Sequence, residues 1–86
     1  MVVHLRWRGD DDGARATVVA GRKVGGAVVR NRAKRRLRAA LRDVGAPCGA
    51  DVVVVARHGA VMAPFGRLRE ELATLLGEYQ YRVRNH

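Results

Sequence analysis

The sequence predicts an α+β fold, a two-layer α/β sandwich whose elements follow in the order strand, strand, helix, strand, helix (ββαβα). Three observations carry this. Apolar residues alternate near the N-terminus, where Val3, Leu5 and Trp7 fall on one face and Val2, His4 and Arg6 on the other. In two later stretches they recur at three- and four-residue spacing, the period of an amphipathic helix. Between those stretches Val52 to Ala56 is apolar at every position, which predicts a strand covered on both faces. A length of 86 residues holds one core, so residues 1–86 are read as a single domain, and a hydrophobic fraction of 48% argues against disorder.

The first strand covers Val2 to Trp7. Gly9 to Gly13, Gly-Asp-Asp-Asp-Gly, is made of turn formers and predicts a hairpin into a second strand, Ala14 to Ala20, paired back onto the first. The three aspartates lack the alternating spacing and twelfth-position Glu of a calcium loop, so they are read as a solvated turn and no metal ligand is assigned. Gly21, Gly25 and Gly26 then allow a sharp turn or a close approach to a ligand, but without the Gly-Lys-Ser/Thr ending of a phosphate-binding loop. Asn31 is placed as the cap of a helix running to about Asp43, with Ala33, Leu37, Ala40, Leu41 and Val44 as its apolar stripe. Gly45 and Pro47 end it. The all-apolar strand is expected to run parallel to a neighbour across this helical crossover, with Arg57 and His58 at its end. Pro64 suits the first turn of a second helix, with Phe65, Leu68, Leu72, Leu75 and Leu76 inside and Glu70 and Glu71 outside. The tail carries Tyr79, Tyr81, Arg82 and Arg84, which either extend the helix or stack on bases.

Charge is the outstanding feature. From Gly13 to Arg42 there are ten basic residues and no acidic one, while the rest of the chain carries seven bases against eight acids, so the net +9 belongs to this third. At about 100° per residue Arg32, Arg35, Arg38 and Arg42 fall opposite the apolar stripe, with Lys34 and Arg36 nearer its borders. An ordinary solvated helix interleaves Glu at i,i+4; here like charges repel unrelieved, which points to an external polyanion. Arginine outnumbers lysine, as suits bidentate phosphate recognition, and nucleic acid is the favoured partner. A membrane surface is disfavoured because the basic helix has no interfacial aromatic. An independent enzyme is disfavoured too: His4, His58 and His86 are scattered and no acidic pair shares a face. Cys48, the single cysteine, is read as a small loop residue of a reduced protein.

Lys23-Val24-Gly25, Ala27-Val28-Val29, Arg30-Asn31-Arg32, Lys34-Arg35-Arg36-Leu37-Arg38 and Arg42 make up a strand-turn-helix signature built on Arg-Asn-Arg. On these residues the chain resembles the protein subunit of bacterial ribonuclease P, and looser similarity runs through Val2 to Leu5 and Asp51 to Arg57. The resemblance implies a cytoplasmic ribonucleoprotein that removes the 5′ leader of precursor tRNA. Its partners are ribonuclease P RNA and precursor tRNA, with no membrane and no protein partner required. It further implies that the RNA does the chemistry and mainly holds the Mg²⁺, so that no residue of the chain is catalytic. Carried over residue by residue, it assigns RNA contact to Arg30, Asn31, Arg32, Lys34, Arg35, Arg36 and Arg38, with Arg42 a weaker candidate and Arg22 and Lys23 adjoining. The family order is αβββαβα with a left-handed crossover around the basic helix.

This sequence departs from the family in having Gly21-Arg22 where Ser-Lys is usual, and Gly26 where Asn or Lys is common. It also lacks the first helix and strand of the family order. That difference predicts either a start upstream of Met1 or RNA binding retained with leader affinity lost. The alternative function is that of a general RNA-binding or ribosome-associated structural protein on the same sandwich.

Overall fold

The most apolar strand takes the centre of the sheet. In the computed structural model, which describes residues 1–10, 12–60 and 62–84 and the side chains of 1–10, 12–59 and 62–78, β1 (Val2–Trp7), β2 (Arg15–Val19) and β3 (Ala50–Val55) form a sheet in the order β1-β3-β2. The helices are α1 (Ala27–Val44) and α2 (Phe65–Arg84), with 3-10 turns at Arg22–Val24 and His58–Ala60. β3 is antiparallel to β1, with Val3 opposite Val54, and parallel to β2, with Val18 opposite Val54. The parallel pairing across α1 is the crossover expected from the sequence.

The hairpin is overturned: β1 and β2 flank β3 and do not pair with each other. A hairpin would have left the valine run of β3 on an open edge, whereas strands carrying His4, Arg6, Arg15 and Thr17 are better suited to edges. Gly9–Gly13 therefore serves to carry the chain past the start of β3. Arg8 holds it there, donating from Nη1 to Asp51 Oδ1 at 2.6 Å, from Nη2 to the Gly13 carbonyl at 2.7 Å, and from Nε to Asp10 at 3.1 Å. The Arg8 N–H donates to the Gly49 carbonyl, and the Gly49 N–H to the Asp12 carbonyl. Gly49 has φ +76, and a Cβ there would stand 2.6 Å from the Asp10 carbonyl oxygen, so the crossing needs glycine. The hydrogen bond from Arg8 holds the Asp10 carboxyl below the usual carboxylate range, and the same bond raises Arg8.

Both helices pack on one face of the sheet. Val52, Val54 and Val18 cluster with Ala33, Leu37, Ala40 and Leu41 of α1 and Leu68, Leu72 and Leu76 of α2. Each fully buried leucine contributes roughly 1.5–3 kcal/mol. The expectation that β3 is covered on both faces fails: Val53 and Val55 are only half-buried, because no second layer lies over them among the described residues. Phe65, read as inward-facing, is 37% exposed, and Trp7, on the face of Val3 and Leu5, is 51% exposed, since each sits at the end of its element beyond the core. Helix α1 begins at Ala27, a turn before the expected cap; Gly26 is the N-cap and Asn31 lies inside the helix. The first turn reaches past the core, so Val28 and Val29 are exposed and give no periodic signal. Gly45 closes α1, its N–H donating to the Leu41 carbonyl at 2.8 Å. The tail extends α2 to Arg84; the base-stacking role given to Tyr79, Tyr81, Arg82 and Arg84 concerns side chains outside those described.

Candidate nucleic-acid interface

The turn that launches α1 fixes which way its arginines face. Val24 is buried, the Val24 N–H donates to the Gly21 carbonyl at 3.0 Å, and Gly25 has φ +148 with its Cβ position only 2.8 Å from Val29 Cγ1, so the chain enters the helix by one tight path. With Leu37 and Ala40 locked into the core, the far side of α1 is committed to solvent. Asn31, Arg32, Arg35, Arg38 and Arg42 are exposed there, and Lys34 is half-buried at the border. Val28, Asn31, Lys34, Arg35 and Arg38 line one shallow groove along the helix. Arg38 and Arg42 also border a second groove, between α1 and the open edge of β2.

Two members of the basic motif lie apart from this ridge. Arg30 is half-buried on the core-facing side of the helix's first turns. Arg36 is half-buried as well: its Nη2 donates to the Ala63 carbonyl, and its Nε is buried without a partner among the described residues. Arg36, to which the resemblance assigns RNA contact, is thus turned away from the outward row. Its place on the wheel, next to Ala40, turns it toward the connector before α2.

Arg22 and Lys23 are exposed on the 3-10 turn and line a different recess, which they share with Arg57 and His58. His58 Nδ1 lies 3.4 Å from the Val24 carbonyl. Residue pattern alone gives Arg57 and His58 no role, although a signal for one exists. Parallel strands end side by side, so the bases that follow β2 and those that follow β3 must meet. Asp10 and Asp51 meet instead on Arg8 at the start of β3, about 20 Å away along a strand rising ~3.3 Å per residue.

The ridge suits a phosphate backbone. Arg42 lies ten residues after Arg32, about 15 Å along the helix, or roughly 5 Å between successive ridge guanidiniums, comparable with the ~3.4 Å of axis per phosphate on one strand of a duplex. Among the described residues no cluster of three or more His, Cys, Asp or Glu stands ready to hold a metal ion. No helix among them is long and apolar enough to cross a membrane. Cys48 is exposed and unpaired in the loop after α1.

Comparison with known proteins agrees with this geometry. A family profile described as "Ribonuclease P" matches residues 1–80. The ribonuclease P protein component of Symbiobacterium thermophilum is 45% identical over 76 residues, covering 86% of this chain and 66% of the relative. That of Caulobacter vibrioides is 44% identical over 79 residues, covering 86% of this chain and 52% of the relative. The chain thus spans between about half and two thirds of the length of these curated relatives. Among solved structures, the RNase P protein from Thermotoga maritima superposes with a TM-score of 0.72 at 36% identity, covering 86% of this chain and 72% of that one. The Staphylococcus aureus RNase P protein, at 24% identity and a TM-score of 0.71, shares the fold. With a profile matched over nearly its whole length and the arginine ridge in place, the chain belongs to the ribonuclease P protein family.

Proposed function

We propose that this chain is the protein component of ribonuclease P, binding its catalytic RNA and assisting the Mg²⁺-dependent endonucleolytic removal of the 5′ leader from precursor tRNA in the cytoplasm. The observation that carries this reading is the one-sided arginine ridge of α1, fixed by a core that leaves it no other orientation. Guanidinium groups on the ridge neutralise closely spaced RNA phosphates and release their counterions, which lowers the repulsion opposing substrate and metal binding. The chain does no bond-breaking chemistry. Mg²⁺ is held mainly by the RNA.

Reconstitution tests the reading. Purified chain added to a bacterial ribonuclease P RNA at low Mg²⁺ is expected to restore precursor-tRNA cleavage, whereas an unrelated basic protein of equal charge does not. An unchanged cleavage rate sinks it. RNA binding without rescue would indicate a general RNA-binding protein instead.

A further inference from the structure

We propose that Arg36 is a positioning residue: turned inward from α1, its guanidinium fixes the connector that carries Arg57 and His58, joining the strand-end recess to the helix ridge as one RNA-facing surface. The functional half of this role rests on the RNA-binding reading above. Arg35 and Arg36 are neighbours in a run of like charges, yet Arg35 is exposed and Arg36 is half-buried with its Nη2 on the Ala63 carbonyl. Burying a guanidinium nitrogen without a partner, as at Nε among the described residues, is unfavourable, so the inward pose must be held by its packing and by the Ala63 bond.

The Ala63 carbonyl belongs to a short network. The Ala63 N–H donates to the Gly59 carbonyl at 3.0 Å and the Met62 N–H to the same oxygen at 3.2 Å. On the residue before Gly59, His58 Nδ1 lies 3.4 Å from the Val24 carbonyl, on the turn that carries Arg22 and Lys23. On the residue after Ala63, the Pro64 carbonyl accepts from the Arg67 and Leu68 N–H groups and starts α2. The connector is therefore pinned to α1 by Arg36 and to the 3-10 turn by His58. Releasing the Arg36 end leaves the His58–Val24 contact as the one side-chain hydrogen bond that holds the connector beside Arg22 and Lys23 among the described residues, so the places of Arg57 and His58 loosen.

Two readouts test this on the full chain. R36M, which keeps an apolar stem and removes the donor, is expected to speed amide hydrogen exchange at Met62 and Ala63 by about tenfold or more, whereas R35M leaves both unchanged. R36Q, with a shorter amide donor, is expected to speed them less, and replaces R36M if that variant does not fold. In affinity for a ribonuclease P RNA, R36M and R57Q are expected to be coupled: the double variant binds within about twofold of the weaker single variant. Unchanged exchange overturns the positioning role. Affinity decreases that multiply in the double variant overturn it also, by making Arg36 an independent phosphate ligand. Failure of the unaltered chain to bind the RNA would sink the functional reading while the exchange measurement still decides whether Arg36 orders the connector.

Discussion

Replacing Arg35 and Arg38 together by glutamine should weaken RNA binding without weakening the fold. Both side chains are exposed on α1 and line its shallow groove, and neither holds a hydrogen bond within the chain among the described residues. Removing one phosphate-binding cation should flatten the dependence of log affinity on log salt by about 0.7–0.9, hence by about 1.5 for the pair. Between roughly 50 and 200 mM salt, the parent should lose about eightfold more affinity than the variant. Stability should move the other way. The substitution relieves like-charge pairs at Arg32–Arg35, Arg35–Arg38, Lys34–Arg38 and Arg38–Arg42, each worth a few tenths of a kcal/mol at low salt, and glutamine is about as good a helix former as arginine. Fluorescence anisotropy with a labelled ribonuclease P RNA over a salt series, paired with thermal melts of the free protein, reads both signs. A parent-like salt slope, or a melting point several degrees lower, would refute the argument, because either result puts these arginines to work inside the fold.

Leu37→Ala removes a side chain that is fully buried between sheet and helices and should cost about 2.5–5 kcal/mol, a large part of a domain whose total is on the order of 4–13 kcal/mol; urea denaturation should show a lower midpoint with an unchanged slope. Gly49→Ala should cost about 1–3 kcal/mol, since it combines a positive φ with a Cβ 2.6 Å from a backbone oxygen, whereas Gly13→Ala, with open space around it, should be close to neutral in the same assay. Asp10 is held below its ordinary range in the folded protein by the Arg8 hydrogen bond. Its contribution is therefore present above the unfolded pKa and is lost as pH falls through the lower folded value. Urea melts between about pH 7 and pH 3 should show stability declining below about pH 4, and Asp10→Asn should flatten that decline.

The fold is legible in the sequence wherever burial imposes a period. Ala33, Leu37, Ala40 and Leu41 are buried as their spacing requires, and Leu68, Leu72 and Leu76 likewise. Boundaries are less legible where an element outruns the core, as in the first turn of α1, because exposed Val28 and Val29 there obey no period. Strand pairing escapes local reading for a different reason. Gly-Asp-Asp-Asp-Gly is a sound local turn signal, but pairing is settled between strands, and a valine run apolar at every position gains most at the centre of the sheet.

The same distinction governs the site. Residue type alone identifies the surface, because ten uncompensated bases between Gly13 and Arg42 demand an anion; it does not assign each base a direction. Direction follows from angle around the helix and from what lies beyond each end of it. Arg35, about 160° from Leu37 on the wheel, faces away from the core. Arg36, only about 40° from Ala40, faces the connector that α2 requires. A charge motif on an amphipathic helix thus divides by angle: the residues opposite the stripe face outward, and Arg36 at its border faces a neighbouring element. Arg57 and His58 complete the logic from the other side. They lie outside the motif, yet they join it because parallel strands deliver their C-terminal ends to the same edge, so the extent of the basic surface is set by topology as much as by composition.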